Sequence, residues 1–184
     1  MKKWSNAPLV AFLAALALHP ACGEDGGLSE VFGAPAADDA DANEKLGRIF
    51  PEFFPDNVRH SVPLGAIFHG GPPKDGIPAL TRPNVIPAAA ADYLDATDVV
   101  LGLELNGETR AYPLLIMNWH EIVNDTLGGV PVALTYCPLC GTGIAFDPVI
   151  DGVAVEFGVS GLLHNSDLLM YDRVTDTPSL WQQA

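Results

Sequence analysis

Residues 99–112, VVLGLELNGETRAY, predict a β-hairpin. Two runs of strand-forming residues flank Asn106-Gly107, the dipeptide that most strongly favours a two-residue hairpin turn. Further strands are predicted at residues 130–136, 143–146, 154–159 and 168–171. Residues 114–123 fit either a short helix or an irregular strand, because their periodicity does not decide. We therefore expect a β-dominated α+β fold, a single compact domain of antiparallel strands, with barrel and sandwich both open.

Prolines dominate the region before the hairpin. Eight of them between residues 51 and 87 exclude long helices and central strands, so this part is expected to wrap irregularly over the core. A short helix is predicted at residues 87–94, with proline in its first turn. The last residues, 179–184, resemble the start of another strand, and we expect the sequence to be truncated there.

The N-terminus has the pattern of a bacterial export signal, residues 1–21. Lys2 and Lys3 precede an apolar run at residues 9–18, which is shorter than the roughly 20 residues of a membrane span. Cys22 is interpreted as the lipidated first residue of the mature protein. Because residues 18–21 only partly resemble a lipoprotein processing box, ordinary secretion is the alternative. The expected location is the cell envelope, on the outer membrane or the periplasmic face, with the membrane contacted through a lipid anchor.

Residues 22–45 are predicted to be a flexible acidic linker, and residues 46–184 the β-rich domain. The linker contains DDADANE at residues 38–44. Removal of the signal takes away two lysines and no acidic residue, so the formal net charge falls from −14 to −16. This charge excludes nucleic acid as a partner, because phosphate would be repelled. No protein partner or small-molecule substrate can be read from the sequence.

The segment most suited to chemistry is CPLCG, residues 137–141. Two thiols at C-x-x-C spacing in a tight turn can chelate a metal ion, close a reducible disulfide or staple a loop. The chain has no second cysteine pair of this kind, so a metal would need ligands from elsewhere. His120 is the first candidate, and His164 is the second. A Cys137, Cys140 and His120 set would suit zinc or copper, and it requires a ring nitrogen of His120 to approach both sulfurs.

Four other side chains are candidates for acid, base or substrate-binding roles: Glu121, Asp125, Asp167 and Arg173. Each also has a plain interpretation as a solvated, capping or surface-paired group. Metalloprotease chemistry is not expected, because Asn124 occupies the second histidine position of H-E-x-x-H. The alternative to a metal site is a redox-active or structural disulfide within a binding module. A thioredoxin-like site needs a helix that begins at the first cysteine, and Gly141 and Gly143 argue against one.

Five motifs in order resemble a known family. They are DGIPAL (75–80), RAYPL (110–114), NWHEIVND (118–125), TYCPLCGT (135–142), and GVSG with NSDLLMYDR (158–161 and 165–173). Together they resemble the bacterial and archaeal family called domain of unknown function 3179, across about residues 75–184. The resemblance implies that members continue beyond the Ser-Leu-Trp segment, and it implies no activity, enzymatic or otherwise. The residues that it puts forward are Asn118, His120, Glu121, Asn124, Asp125, Cys137, Cys140, Asn165, Ser166, Asp167, Asp172 and Arg173.

Overall fold

The computed structural model describes residues 37–56, 58–174 and 178–184. All of them belong to one unit that spans residues 35–184. The predicted export signal, Cys22 and the linker as far as residue 36 lie outside the described residues.

Strands make up most of the regular structure. The first part contains α1 (Ala37–Ile49), β1 (Ile67–His69), β2 (Leu80–Thr81), β3 (Val100–Leu105), β4 (Glu108–Pro113) and α2 (Leu114–His120). The second part contains β5 (Ile122–Leu127), β6 (Val130–Cys137), β7 (Thr142–Phe146), β8 (Val149–Ile150), β9 (Val153–Ala154), β10 (Phe157–His164), β11 (Asp167–Asp172) and β12 (Leu180–Gln182). Among the described residues no helix combines the length and apolar character that crossing a membrane requires.

Two four-stranded sheets form the core. Sheet A has the strand order β1-β10-β11-β12, and all its pairs are antiparallel. Sheet B has the order β2-β5-β6-β7, in which only the β2–β5 pair is parallel. Within the described part of the chain neither sheet closes into a barrel. The predicted β-dominated α+β fold is thus confirmed.

Strand β11 shows how the layers are stacked. Leu168 and Met170 pack into the cluster between the sheets, together with Ile122 of sheet B. The alternate residues Leu169 and Tyr171 point to the opposite face and pack against α1 and the following chain. Side chains alternate between the two faces of a strand, so an apolar run buries both faces of sheet A.

The proline-rich chain is fastened to β10. Ser160 and Gly161 lie where the β10–β11 register shifts, and the Gly161 carbonyl accepts a hydrogen bond from the Gly70 amide (2.8 Å). Gly161 has a φ of +81°, and a β-carbon there would lie 2.1 Å from the Pro72 carbonyl oxygen. Only glycine permits this approach. The Asp75 amide makes the next bond, to the Val159 carbonyl (2.9 Å).

Helix α1 differs from the sequence prediction, because residues 37–45 were expected to belong to a flexible linker. The acidic residues are paired within the helix: Lys45 contacts Asp41 at 2.6 Å, and Arg48 contacts Glu44. Leu46 is buried against the aromatic residues that follow the helix. The charges that suggested a linker are therefore the solvent face of an amphipathic helix.

The other predicted elements are mostly confirmed, with local differences. The hairpin has its turn at Asn106-Gly107, where both residues have positive φ. Residues 114–123 form the helix α2 and then the start of a strand, so both alternatives hold in part. The predicted helix at 87–94 is only a 3₁₀ turn, Ala88–Ala90, and the predicted strand 154–159 is divided between β9 and β10.

Asn124 connects the two sheets. It lies on β5 and is 6% exposed. Its Oδ1 accepts a hydrogen bond from the Phe157 amide (2.7 Å), and its Nδ2 donates to the Phe157 carbonyl (2.8 Å) and to the Leu80 carbonyl (3.4 Å). One side chain thus satisfies both backbone groups of the first residue of β10.

We predict that Asn124→Ala strongly destabilises the protein. The change leaves the buried amide and carbonyl of Phe157 without these partners, and the expected loss is about 3 kcal/mol of unfolding free energy. Denaturant titration measures the loss. Asn84→Ala, at an exposed asparagine, is the matched control and should stay within about 0.5 kcal/mol of wild type. Equal losses in the two variants would contradict the bridging role.

Candidate metal site

The two thiols lie in the turn that joins β6 to β7. Cys137 ends β6 and faces Thr142, the first residue of β7. The Gly141 amide donates to the Cys137 carbonyl (2.8 Å), and Gly141 has a φ of +68°. The glycine therefore supplies the left-handed conformation that closes the turn, as its position in the motif predicts.

A second hairpin turn, from sheet A, lies against the first. Asn165 and Ser166 join β10 to β11 with φ values of +50° and +66°. The Cys140 thiol donates to Oδ1 of Asp167 (3.2 Å), and the Cys137 thiol is 3.7 Å from the Ser166 carbonyl oxygen. The two sheets thus bring a carboxylate to the cysteine pair.

Cys137, Cys140 and Asp167 form a compact group of potential metal ligands. One ligand atom of each lies within 4.8 Å of the others. Both cysteines are free; Cys137 is buried, whereas Cys140 is exposed. Ligand atoms around one tetrahedral zinc ion are separated by about 3.3–3.8 Å, so a small contraction would allow all three to share an ion.

Burial and the neighbouring backbone act on Cys137 in opposite directions. Burial raises the pKa of the Cys137 thiol to about 11, and a hydrogen bond with the Cys140 thiol adds to the rise. The backbone amides of Cys140, Leu139 and Leu168 face the sulfur and favour its thiolate. Near neutral pH the isolated site therefore holds a protonated Cys137, while amide donors are already in place for a thiolate.

The two carboxylate oxygens of Asp167 differ in their hydrogen bonding. Its Oδ1 accepts hydrogen bonds from the Cys140 thiol and from the Leu168 amide (2.9 Å). Its Oδ2 is buried and has no hydrogen-bond partner among the described residues. Buried carboxylate oxygens normally have a hydrogen-bond partner, so Oδ2 of Asp167 is an exception.

The candidate histidines are placed elsewhere. The Nδ1 of His120 lies 2.8 Å from the Pro78 carbonyl oxygen. Because a carbonyl only accepts, Nδ1 carries the proton in this bond. His120 does not belong to the cysteine group in the described structure. His164 is buried, and the Gln182 amide donates to its Nδ1.

Two of the other candidates are used in ion pairs. Asp125 accepts hydrogen bonds from Arg110 (2.5 Å) and from the Tyr112 hydroxyl (3.0 Å). Arg173 contacts Asp75 at 2.6 Å, and that pair fastens the proline-rich chain to the end of β11. The sequence predicted Asp167 as a candidate for an acid, base or substrate-binding role, but not that it lies beside the cysteine pair. The polar pair Asn165-Ser166 is typical of a turn, but a turn signal does not indicate what the turn contacts.

Glu121 stands out by its backbone and its environment. It caps α2 with φ +56° and ψ −37°, a region that non-glycine residues rarely occupy. Burial raises the pKa of its carboxyl from 4.5 to about 6. Strained, desolvated residues cluster at functional sites, so Glu121 keeps its candidacy for acid–base chemistry.

Comparison with known proteins gives one result. The family model described as "Protein of unknown function (DUF3179)" matches residues 74–184. No curated protein and no solved structure matches the chain significantly. The matched region includes Cys137, Cys140 and Asp167, and it begins after α1.

Glu121 makes folding pH-dependent, and we predict that Glu121→Gln removes this contribution. Between pH 4.5 and 6 the unfolded chain loses the Glu121 proton while the folded protein keeps it, so stability falls as the pH rises. The glutamine variant avoids the cost of the buried charge. Its stability relative to wild type should therefore be higher at about pH 7.5 than at about pH 4.

Denaturant titration at both pH values measures this difference. The control is Glu104→Gln on β3, where the carboxylate is exposed and a much smaller change is expected. A relative stability of Glu121→Gln that is the same at both pH values would contradict the assignment.

Proposed function

This chain belongs to the family described as "Protein of unknown function (DUF3179)", and we propose that its Cys137, Cys140 and Asp167 bind one metal ion. The family description names no activity, so the proposal depends on the geometry of the site. Metal handling and a metal-assisted reaction are the two roles that such a site supports.

The observation that carries the proposal is the Asp167 carboxylate: its Oδ1 contacts the free Cys140 thiol, while its Oδ2 is buried without a hydrogen-bond partner among the described residues. Burying a polar oxygen without a partner is costly, and a cation removes the cost. A cation would also stabilise the thiolate of Cys137, towards which three backbone amides already face. One ligand thus accounts for both features.

The donor set favours zinc over copper. Thiolates bind either metal, but a carboxylate oxygen suits the borderline Zn²⁺ better than the soft Cu⁺. In the ligand set predicted from the sequence, Asp167 therefore replaces His120, because the Asp167 carboxylate lies beside the cysteine pair. Three protein ligands leave one tetrahedral position for water or substrate, as in zinc sites that perform chemistry.

Thiol–disulfide exchange is the second candidate, because two free thiols lie close together. Two observations weigh against it. The cysteines lie in a hairpin turn and not at the start of a helix, whose N-terminus would lower a thiol pKa. The raised pKa of Cys137 keeps the reactive thiolate scarce at neutral pH.

We also propose that the protein is exported and anchored to the cell envelope through a lipid on Cys22. The basic start, the short apolar run and the cysteine at residue 22 support this proposal. An acidic mature domain beside the membrane would attract cations to its surface.

The metal proposal predicts zinc in the purified protein. In a Cys22→Ala background, which leaves only two thiols, we expect about one equivalent of zinc per chain. Cys140→Ser and Asp167→Asn each remove a ligand and should weaken zinc binding at least about tenfold. Elemental mass spectrometry gives the stoichiometry, and competition with a chromophoric chelator gives the affinity.

Asp92→Asn is the matched control, because it removes an exposed carboxylate of the same type and should bind zinc as the parent does. Copper in place of zinc would reassign the metal. No bound metal together with no free thiols would identify the turn as a disulfide and end the metal proposal.

The anchoring proposal predicts that Cys22→Ser releases the protein from membranes. In a bacterial host given labelled palmitate, the wild-type chain should carry label and sediment with the membrane fraction, whereas Cys22→Ser should do neither. Cys140→Ser is the control and should keep the label. A labelled Cys22→Ser variant, or an unlabelled wild type, would refute the lipid anchor.

A further inference from the structure

Gln183 reaches from sheet A into the space between the sheets. It directly follows β12, is 2% exposed, and its backbone amide donates to the Leu168 carbonyl (3.4 Å). Because Leu169 faces Gln182 in the β11–β12 register, the next pair is Leu168 and Gln183. Residues directly opposite each other on antiparallel strands project to the same face. The Gln183 side chain therefore lies on the inner face with Leu168.

The amide of Gln183 ends beside the cysteine turn. Its Nε2 donates to Oγ1 of Thr135 (2.8 Å) and to the carbonyl of Thr142 (3.0 Å). Thr135 and Cys137 are two residues apart on β6, so their side chains share a face. Thr142 is the residue that faces Cys137 in the β6–β7 register. Gln183 thus contacts two residues that neighbour Cys137 in sheet B.

The orientation of this amide is fixed by its partners. The Thr142 carbonyl can only accept, so the Gln183 atom that faces it must be the donor Nε2. The acceptor Oε1 is left buried and has no hydrogen-bond partner among the described residues. Gln183 and Asp167, which both contact the cysteine turn or the strand that follows it, thus each have a buried oxygen without a hydrogen-bond partner in the described part of the chain.

We propose that Gln183 is a positioning residue of the metal site. Its Oε1 accepts a hydrogen bond from the water that fills the fourth position of the ion. The inference rests on the proposed zinc site, since three protein ligands leave that position open. A metal-bound water is a strong donor, and a neutral amide oxygen can orient it without taking its proton.

Two variants separate the oxygen of Gln183 from its nitrogen. Gln183→Met keeps the length of the side chain and removes both polar atoms. Gln183→Glu keeps the acceptor oxygen and removes the donor to Thr135 and Thr142. Zinc affinity is measured for full-length protein in the Cys22→Ala background, alongside the thermal stability of the metal-free forms. Gln182→Met is the control, because the Gln182 side chain contacts His164.

If Oε1 serves the metal, Gln183→Met should bind zinc about tenfold more weakly, whereas Gln183→Glu should bind at least as tightly as wild type. Both variants should lose stability without metal, because both lose the Nε2 bonds. Equal zinc affinity in Gln183→Met and wild type would overturn the inference alone. Weaker binding in both variants would also overturn it, because the nitrogen would then be the group that matters.

A measurement on the wild type covers the case in which a variant does not fold. The side-chain amide of Gln183 can be followed by ¹⁵N NMR while zinc is added. A shift of this resonance that saturates at one equivalent is expected if Oε1 gains a hydrogen bond. Zinc binding without such a shift would overturn the role of Gln183, while failure of the wild type to bind zinc would overturn the metal site itself.

Discussion

The hydrogen bonds between Asn124 and Phe157 are the constraint on which the rest of the structure depends. Apolar packing between two sheets allows them to slide, because dispersion and burial have little directional preference. An amide that binds both the N–H and the C=O of one residue fixes the relative position of β5 and β10. Since β6 is paired to β5 and β11 to β10, this bridge also fixes where their turns meet.

The candidate site is a product of that alignment. Neither hairpin turn forms it alone: the β6–β7 turn supplies two sulfurs and their facing amides, and the β10–β11 turn supplies Asp167 and the Leu168 amide. The polar groups are unequally satisfied, because amides already face Cys137 whereas one carboxylate oxygen of Asp167 has no hydrogen-bond partner among the residues that the structure describes. The proposed cation would provide the partner that this oxygen lacks.

Local sequence signals predicted most strands and the cysteine pair of the candidate site, but they did not predict that Asp167 lies beside that pair. Asn106-Gly107 predicted the hairpin correctly, because both residues adopt the positive φ that a two-residue hairpin turn needs. This preference depends only on the residues of the turn itself. Helix α1 was missed because composition suggested disorder, although acidic and basic residues four positions apart pair along it. His120 was expected beside the sulfurs because thiolate and imidazole are the ligands that zinc and copper prefer. The His120 ring contacts the Pro78 carbonyl instead, and the Asp167 carboxylate lies beside the Cys140 thiol. The sequence could not predict this contact, because two turns that are distant along the chain share no periodic pattern.

The order of strands in sheet A has a consequence for folding. Its edge strand β1 pairs Ile67 with His164, and the whole of residues 68–163 lies between these two partners. Closing so long a loop costs entropy before any strand contact compensates for it, so the β10–β11 and β6–β7 hairpins are expected to form earlier than the complete sheet. During that interval the thiols and the carboxylate are carried by separate units. Until the two sheets dock, the cysteine pair would therefore be formed without the Asp167 carboxylate beside it.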